Sequence, residues 1–541
     1  MAIARSKVGF LKGKLWGRGA SAPRPPALLW LAAGAVAATM LLPLAYMVVR
    51  TLGAGSEIWD LILRPRTAAI LGRTILLVVA VTAACIALAL PLAWLTVRSD
   101  IPGRRLWAIL TALPLVIPSF VGGYVVVAAL GPRGLLQQLL APLGVERLPE
   151  IYGFPGAFLT ITLLTYPYVM FTVRGALWRL DPALEETARS LGIGARGTFF
   201  RVTLPHLRPA IAAGGLLAAL YTLHDFGAVS LLRYETFTWA IYIQYETAAR
   251  SLAAGLSLLL AALALLILLV EVGTRGRGRY YRGGGSPRPP SIVPLGRWRW
   301  PALAFCGLVV ALALALPLSV LGYWLARGIA AGEPFRLMWG AAVNSLYVSG
   351  LAAMVTVAAA LPVTFLAVRF LGRVSALLER STYLGFALPG IVVALALVFF
   401  AVNYARPLYQ TLGLLIFAYV VLFLPAAGGS IRSALLQINP SLEEAARSLG
   451  RRPLRVLTGV TLPLVRSGLL AGGALVFLTT MKELPATLLL SPTGFKTLAT
   501  SIWGSVSEAF FARAATPALL LVLASSLGMA IFIFQERRQE R

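Results

Sequence analysis

Two pairs of adjacent ionisable residues, His224-Asp225 and Lys482-Glu483, sit within largely apolar stretches, YTLHDFGAVSLLRYETFTWAIYIQY and TTMKELPATLLLSPTGFKTLATSIW. A charge in such a run is costly and marks a functional position by default. Two chemistries fit. Asp225 and Glu483 offer hard oxygen ligands of the kind a metal cation prefers, with Tyr221 and Tyr234 close enough in sequence to add oxygens. Alternatively, Asp225 pairs with Lys482 or His224 and Glu483 with another helix, as structural or gating contacts, while the tyrosines are interfacial anchors. Enzyme chemistry has little to work with: two histidines, two cysteines inside apolar runs (Cys85 and Cys306), and no clustered nucleophile. Neither a disulfide nor a metal cluster is expected of those thiols, which behave as small hydrophobes. None of the lysines (Lys7, Lys12, Lys14, Lys482, Lys496) lies in a G-x-x-x-x-G-K-[ST] phosphate loop. No cofactor is therefore expected on this chain.

A second constellation occurs twice. DPALEETARSLGIGARGTFFRVTLPHLRP, from Asp181, and NPSLEEAARSLGRRPLRVLTGVTLPLVRS, from Asn439, align without gaps at a constant offset of 258 residues. Glu185 and Glu186 fall on Glu443 and Glu444, Ala188 on Ala446, Gly192 on Gly450, and further on His224-Asp225 falls on Lys482-Glu483. Each copy predicts a short helix, over 181–191 and 439–449. Asp181 or Asn439 is a good N-cap, proline suits the first helical position, the glutamates lie near the positive end of the dipole, and the glycine stops the helix. Leu184, Ala188 and Leu191 form a narrow apolar stripe, as do Leu442, Ala446 and Leu449. Such a helix docks into a groove on a partner or lies on its own chain or the lipid interface. Its presence in both halves favours a two-fold partner.

The elements that carry these residues are membrane spans. Of 541 residues 59% are hydrophobic and only 13% charged, with a mean hydropathy of +0.82, so lipid is the main solvent. Apolar runs near 27–50, 70–97, 106–131, 156–178, 209–232 and 251–272, then 300–326, 341–369, 382–402, 412–435, 467–490 and 514–535, predict about twelve transmembrane helices. The expected fold is an all-α membrane protein of two parallel six-helix repeats, because six spans between copies preserve orientation. With the N-terminus inside, 34 of the 48 Lys and Arg residues fall in or around cytoplasmic segments, as the positive-inside rule requires. That placement next to anionic lipid accounts for the net charge of +28 without nucleic acid. The division expected is a basic cytoplasmic N-terminus (1–26), a first half (27–273) with its loop at 181–209, a Gly/Pro/Arg-rich cytoplasmic linker (274–299), and a second half (300–541) with its loop at 439–467. Both termini are placed in the cytoplasm, and the first span is read as retained.

The paired loops resemble the EAA loop of type I ABC importer permeases, with Thr187 standing where the first copy would have alanine. The resemblance implies two fused permease halves, each loop being a coupling helix seated on one of two identical ATPase subunits, and a separate extracytoplasmic binding protein that delivers cargo. It makes Glu185, Glu186, Ala188, Gly192, Glu443, Glu444, Ala446 and Gly450 the ATPase-coupling residues. DFGAVSLLRYETFTWAIY, MKELPATLLL, GFKTLAT and EAFFARAATPALLL are similar, more specifically, to segments of the fused permeases of bacterial ferric iron ABC importers. That similarity implies ferric cargo and an inner-membrane location. Permeases for thiamine, polyamines, sulfate or phosphonates share the plan, and a secondary transporter driven by an ion gradient is the reading from another class.

Overall fold

The computed structural model describes residues 26–53, 60, 63–246, 250–274, 291–332, 338–370 and 372–539. The basic N-terminus and most of the linker expected over 274–299 lie outside the described residues. Among those described, the regular structure is helical apart from one isolated parallel bridge, Ser99 to Val293. Among the described residues eight helices are long and apolar enough to cross a membrane, and Ala253–Leu269, Gly390–Tyr404 and Phe511–Ser526 are shorter apolar helices.

Four of the runs expected as continuous spans are broken. The first-half run over 106–131 becomes Arg104–Leu110, a 3-10 turn at Leu113–Val116, and Ser119–Leu130. Its second-half counterpart over 382–402 becomes Arg373–Ala387 and Gly390–Tyr404. Pro118 and Pro389 cause both breaks. Each forces its predecessor out of the helical region, Ile117 to φ −78° and ψ 121°, Leu388 to φ −91° and ψ 125°. The runs over 209–232 and 467–490 split into Leu204–His224 with Gly227–Leu231 and Leu462–Met481 with Pro485–Leu490. Broken backbone at membrane depth is tolerated only where protein or water satisfies the freed polar groups.

Helix packing follows the repeat. Leu204–His224 lies against Phe154–Arg179, and Leu462–Met481 against Leu412–Gln437. Gly214 and Gly472, equivalent in the two copies, make these approaches close. A Cβ on Gly214 would lie 2.7 Å from Val169 Cα, and one on Gly472 would lie 3.2 Å from Ala427 Cα. Small residues at such crossings gain dispersion contacts that larger ones would prevent.

The halves also exchange their first helices. Ala27–Leu52 packs on Trp339–Arg369, Arg373–Ala387 and Gly390–Tyr404 of the second half, burying Ala33 against Val363 and Leu366. Conversely, Cys306, Val309 and Ala313, from the first helix of the second half, are buried in the first-half core with Cys85 and Tyr166. Both thiols are thus free and buried.

Candidate functional site

The repeated loops form helices Pro182–Ser190 and Ser441–Ser448. Asp181 Oδ1 accepts from Ala183 N at 3.0 Å and Asn439 Oδ1 from Ser441 N at 3.1 Å, so the two caps are chemically equivalent although the second helix opens one position later. Both helices end alike, on Gly192 at φ +82° and Gly450 at φ +81°, after which Ile193 N bonds back to Ala188 O and Arg451 N to Ala446 O. Nothing lies within 4 Å of a Cβ added at Gly192, so Gly192→Ala meets only the left-handed backbone penalty, about 1 kcal/mol. Exchange of the Ile193 amide is expected to quicken about fivefold for that penalty, with Gly192→Asn in between. Equal rates in all three chains would exclude strain as the reason for glycine.

The glutamate pairs divide their work. Glu186 and Glu444 are exposed, but Glu185 and Glu443 are buried and point into the chain. Arg98, the last residue of Pro65–Arg98, places Nη1 3.2 Å from Glu185 Oε2, and Arg369, the last residue of Trp339–Arg369, places Nη2 3.1 Å from Glu443 Oε1. Thr203 Oγ1 donates to Glu185 Oε1 at 2.7 Å and Thr461 Oγ1 to Glu443 Oε1 at 3.1 Å. Both threonines close a π-helical turn, Phe199–Thr203 and Leu457–Thr461. Pro205 and Pro463 have no N–H to give the carbonyl four residues back, which favours a widened turn there.

The expected apolar stripe is therefore not one contact face. Ala188 and Ala446 are buried against their own chain, whereas Leu191 is 76% and Leu449 82% exposed, with Leu184 and Leu442 about half exposed. The outward surface of each helix is leucine at its ends and Glu186 or Glu444 between them. The sequence reading missed Arg98, Arg369, Thr203 and Thr461. The threonines were visible in it, since VTLP occurs in both copies at the same offset.

At the central breaks, both carboxylates cap helices. Asp225 Oδ1 accepts from Ala228 N at 3.0 Å and Val229 N at 3.3 Å, capping Gly227–Leu231. Glu483 does the same for Pro485–Leu490 with both oxygens, Oε1 from Ala486 N and Oε2 from Thr487 N, each at 3.0 Å. Among the described residues no group of three or more His, Cys, Asp or Glu comes together as metal ligands. The pairing of Asp225 with Lys482 is also absent from the ion pairs of the described residues. Lys482 Nζ instead donates to Leu115 O, in the broken span of the opposite half, at 2.7 Å. Thr238 Oγ1 donates to the Asp225 carbonyl at 2.6 Å. Tyr234 is engaged elsewhere, its hydroxyl donating to Arg73 O at 3.1 Å, and the Tyr221 ring lies tilted at 43° to that of Tyr168 with centroids 5.6 Å apart. His224 ends the Leu204–His224 helix beside this break.

The sequence of the chain has counterparts among known proteins. The model of the binding-protein-dependent transport system inner membrane component matches twice, over residues 86–275 and 361–541. The chain is 37% identical, over 95% of its length and 99% of the relative's, to the Fe(3+)-transport system permease protein FbpB 2 of Haemophilus influenzae. It is 26% identical to the ferric transport system permease protein FbpB of Actinobacillus pleuropneumoniae, over 79% of this chain and 64% of that one. A shorter match, 35% over 29% of this chain and 72% of the relative, is to the molybdenum transport system permease protein ModB of Escherichia coli.

Proposed function

The chain belongs to the binding-protein-dependent transport system inner membrane components, as a fused two-half ABC importer permease, and from that footing we propose that it moves ferric iron into the cytoplasm. An extracytoplasmic binding protein delivers the iron, and two copies of an ATPase subunit, which bind ATP and Mg, drive the cycle. The chain itself performs no catalysis. The iron is cargo. The ferric reading draws support from a relative matched almost end to end at 37% identity, against a molybdenum permease matched over 29% of this chain.

The observation that carries the coupling reading is that both loop helices are built alike, with an inward carboxylate, a capped start, a glycine stop and leucines left exposed. Leu184, Leu191, Leu442 and Leu449 would enter a cleft on each ATPase subunit, with Glu186 and Glu444 at its rim. Force on the loop then has two rigid routes. Through Glu185 and Glu443 it reaches Arg98 and Arg369 at the ends of the long helices Pro65–Arg98 and Trp339–Arg369. Through Thr203 and Thr461 it reaches Leu204–His224 and Leu462–Met481, whose far ends are the breaks at Asp225 and Lys482. A helix of 21 residues spans about 30 Å, so the second route runs from the loop face into the membrane, as far as the central breaks. Closing of the ATPases would rock the halves and withdraw Lys482 from Leu115 O, changing access at the centre. In this reading the loop face, both termini and the linker are cytoplasmic.

In proteoliposomes holding this chain with its ATPase subunit and binding protein, ATP hydrolysis is expected to rise with ferric-loaded binding protein and not with thiamine. Stimulation by thiamine alone would sink the cargo reading. Uptake driven by an ion gradient without the ATPase subunit would sink the coupling reading.

A further inference from the structure

The two buried glutamates are anchored differently, and the difference lies in the chain that joins the halves. Beside Glu185, Ser291 Oγ accepts from Arg98 Nη1 at 3.0 Å and donates to Glu185 Oε2 at 3.3 Å. Two residues on, Val293 N bonds Arg98 O at 2.7 Å, and Val293 forms the parallel bridge with Ser99. Leu295 N then bonds Asp100 Oδ1 at 2.8 Å. Residues 291, 293 and 295 thus face the end of Pro65–Arg98 in strand register, and the next turn leads into the Arg299–Val310 helix that the second half lends to the first-half core. Beside Glu443 the third partner is Arg447, from the loop's own helix, at 3.8 Å. Its equivalent, Arg189, is exposed.

We propose that 291–295 is a strap by which the inter-half connection positions the first docking loop, so that the two ATPase-docking loops of the fused chain are unequal by construction. The first loop is held by the linker segment that leads into the opposite half, and so reports that half's movement. The second is held from within its own half, by Arg369, Thr461 and Arg447. The hydroxyl of Ser291 and the N–H of Val293 are the positioning groups, acting through Arg98 on Glu185. The contact stands whatever docks on the loops; only its consequence for the ATPase rests on the function proposed above.

Hydrogen exchange in the full-length chain in lipid nanodiscs tests this without the ATPase subunit. Ser291→Ala removes a hydrogen bond to a charged carboxylate, and Val293→Pro removes the donor to Arg98 O. In either variant the amides of Pro182–Ser190 are expected to exchange about tenfold faster, while those of Ser441–Ser448 keep their rate. Unchanged exchange of Pro182–Ser190 in both variants would overturn the strap, and so would equal acceleration of both loops, which signals general loosening. The docking reading fails separately, if Leu191→Ser and Leu449→Ser leave retention of the ATPase subunit unchanged.

Discussion

Glu443→Ala is expected to release the second loop from the membrane body, with trypsin cutting after Arg451 about a hundredfold faster or more, while Glu444→Ala cuts at the original rate. The reason is burial. The side chains of Arg369 and Glu443 are 9% and 3% exposed and 3.1 Å apart, and Thr461 Oγ1 completes the carboxylate. Removing one member of such a pair strands a charge in a low-dielectric site, which costs about 3–5 kcal/mol. Each 1.4 kcal/mol is tenfold in the open population that the protease samples. Glu444 is exposed with no comparable pair, and an exposed substitution stays within about 0.5 kcal/mol. Arg369→Met combined with Glu443→Leu should recover much of the loss, because an apolar pair of similar volume leaves no stranded charge. If Glu443→Ala were as silent as Glu444→Ala, the inward carboxylate would not be the anchor. Uptake should fall in parallel with loop release, since a loosened loop cannot transmit a push.

How far the sequence leads differs between the loop and the centre. The ungapped repeat made the loop helices, their caps and their glycine stops legible, because those depend on neighbours within a turn or two. The direction of Glu185 and Glu443 was not legible, because their partners Arg98 and Arg369 end helices far upstream. Arg98 with Arg369, and Pro118 with Pro389, share a larger offset than the loops do. The first half carries a longer segment between Leu130 and Phe154, containing the Leu135–Leu140 helix, than the second carries between Tyr404 and Leu412. An ungapped comparison stops at that insertion. Hydropathy likewise counted 106–131, 209–232, 382–402 and 467–490 as single spans, since a window sums composition and ignores a backbone turned aside at Pro118, Asp225, Pro389 or Lys482. The exchange of first helices left no mark at all, for Ala27–Leu52 is equally apolar whichever half it covers.

The breaks make the second large prediction, a contrast between two substitutions that look alike. Asp225→Asn is expected to keep uptake within about twofold, and Glu483→Gln to lose about tenfold or more. Asp225 offers one oxygen, Oδ1, to both Ala228 N and Val229 N, and its other partner is the Ser119 side chain, a hydroxyl that can turn to accept from an amide. Asparagine retains Oδ1 and is as good a cap as aspartate; what is lost is charge at the start of a short helix, about 0.3–1 kcal/mol. Glu483 uses both oxygens, Oε1 for Ala486 N and Oε2 for Thr487 N. Glutamine turns one of them into an NH2 that faces an N–H, and no flip of the amide cures this because each side presents a donor. A buried donor left without an acceptor costs about 1–3 kcal/mol, and space for adjustment is short: a Cβ on Gly390 would already lie 2.6 Å from Glu483 Oε1. If the carboxylates were instead cation ligands on the pathway, charge would be what counts, and both substitutions would abolish uptake equally. Uptake of iron and exchange of the Ala228 and Ala486 amides, measured on the same two variants, separate the cap from the ligand: a cap loses amide protection and uptake together, whereas a ligand loses uptake with its amides still protected.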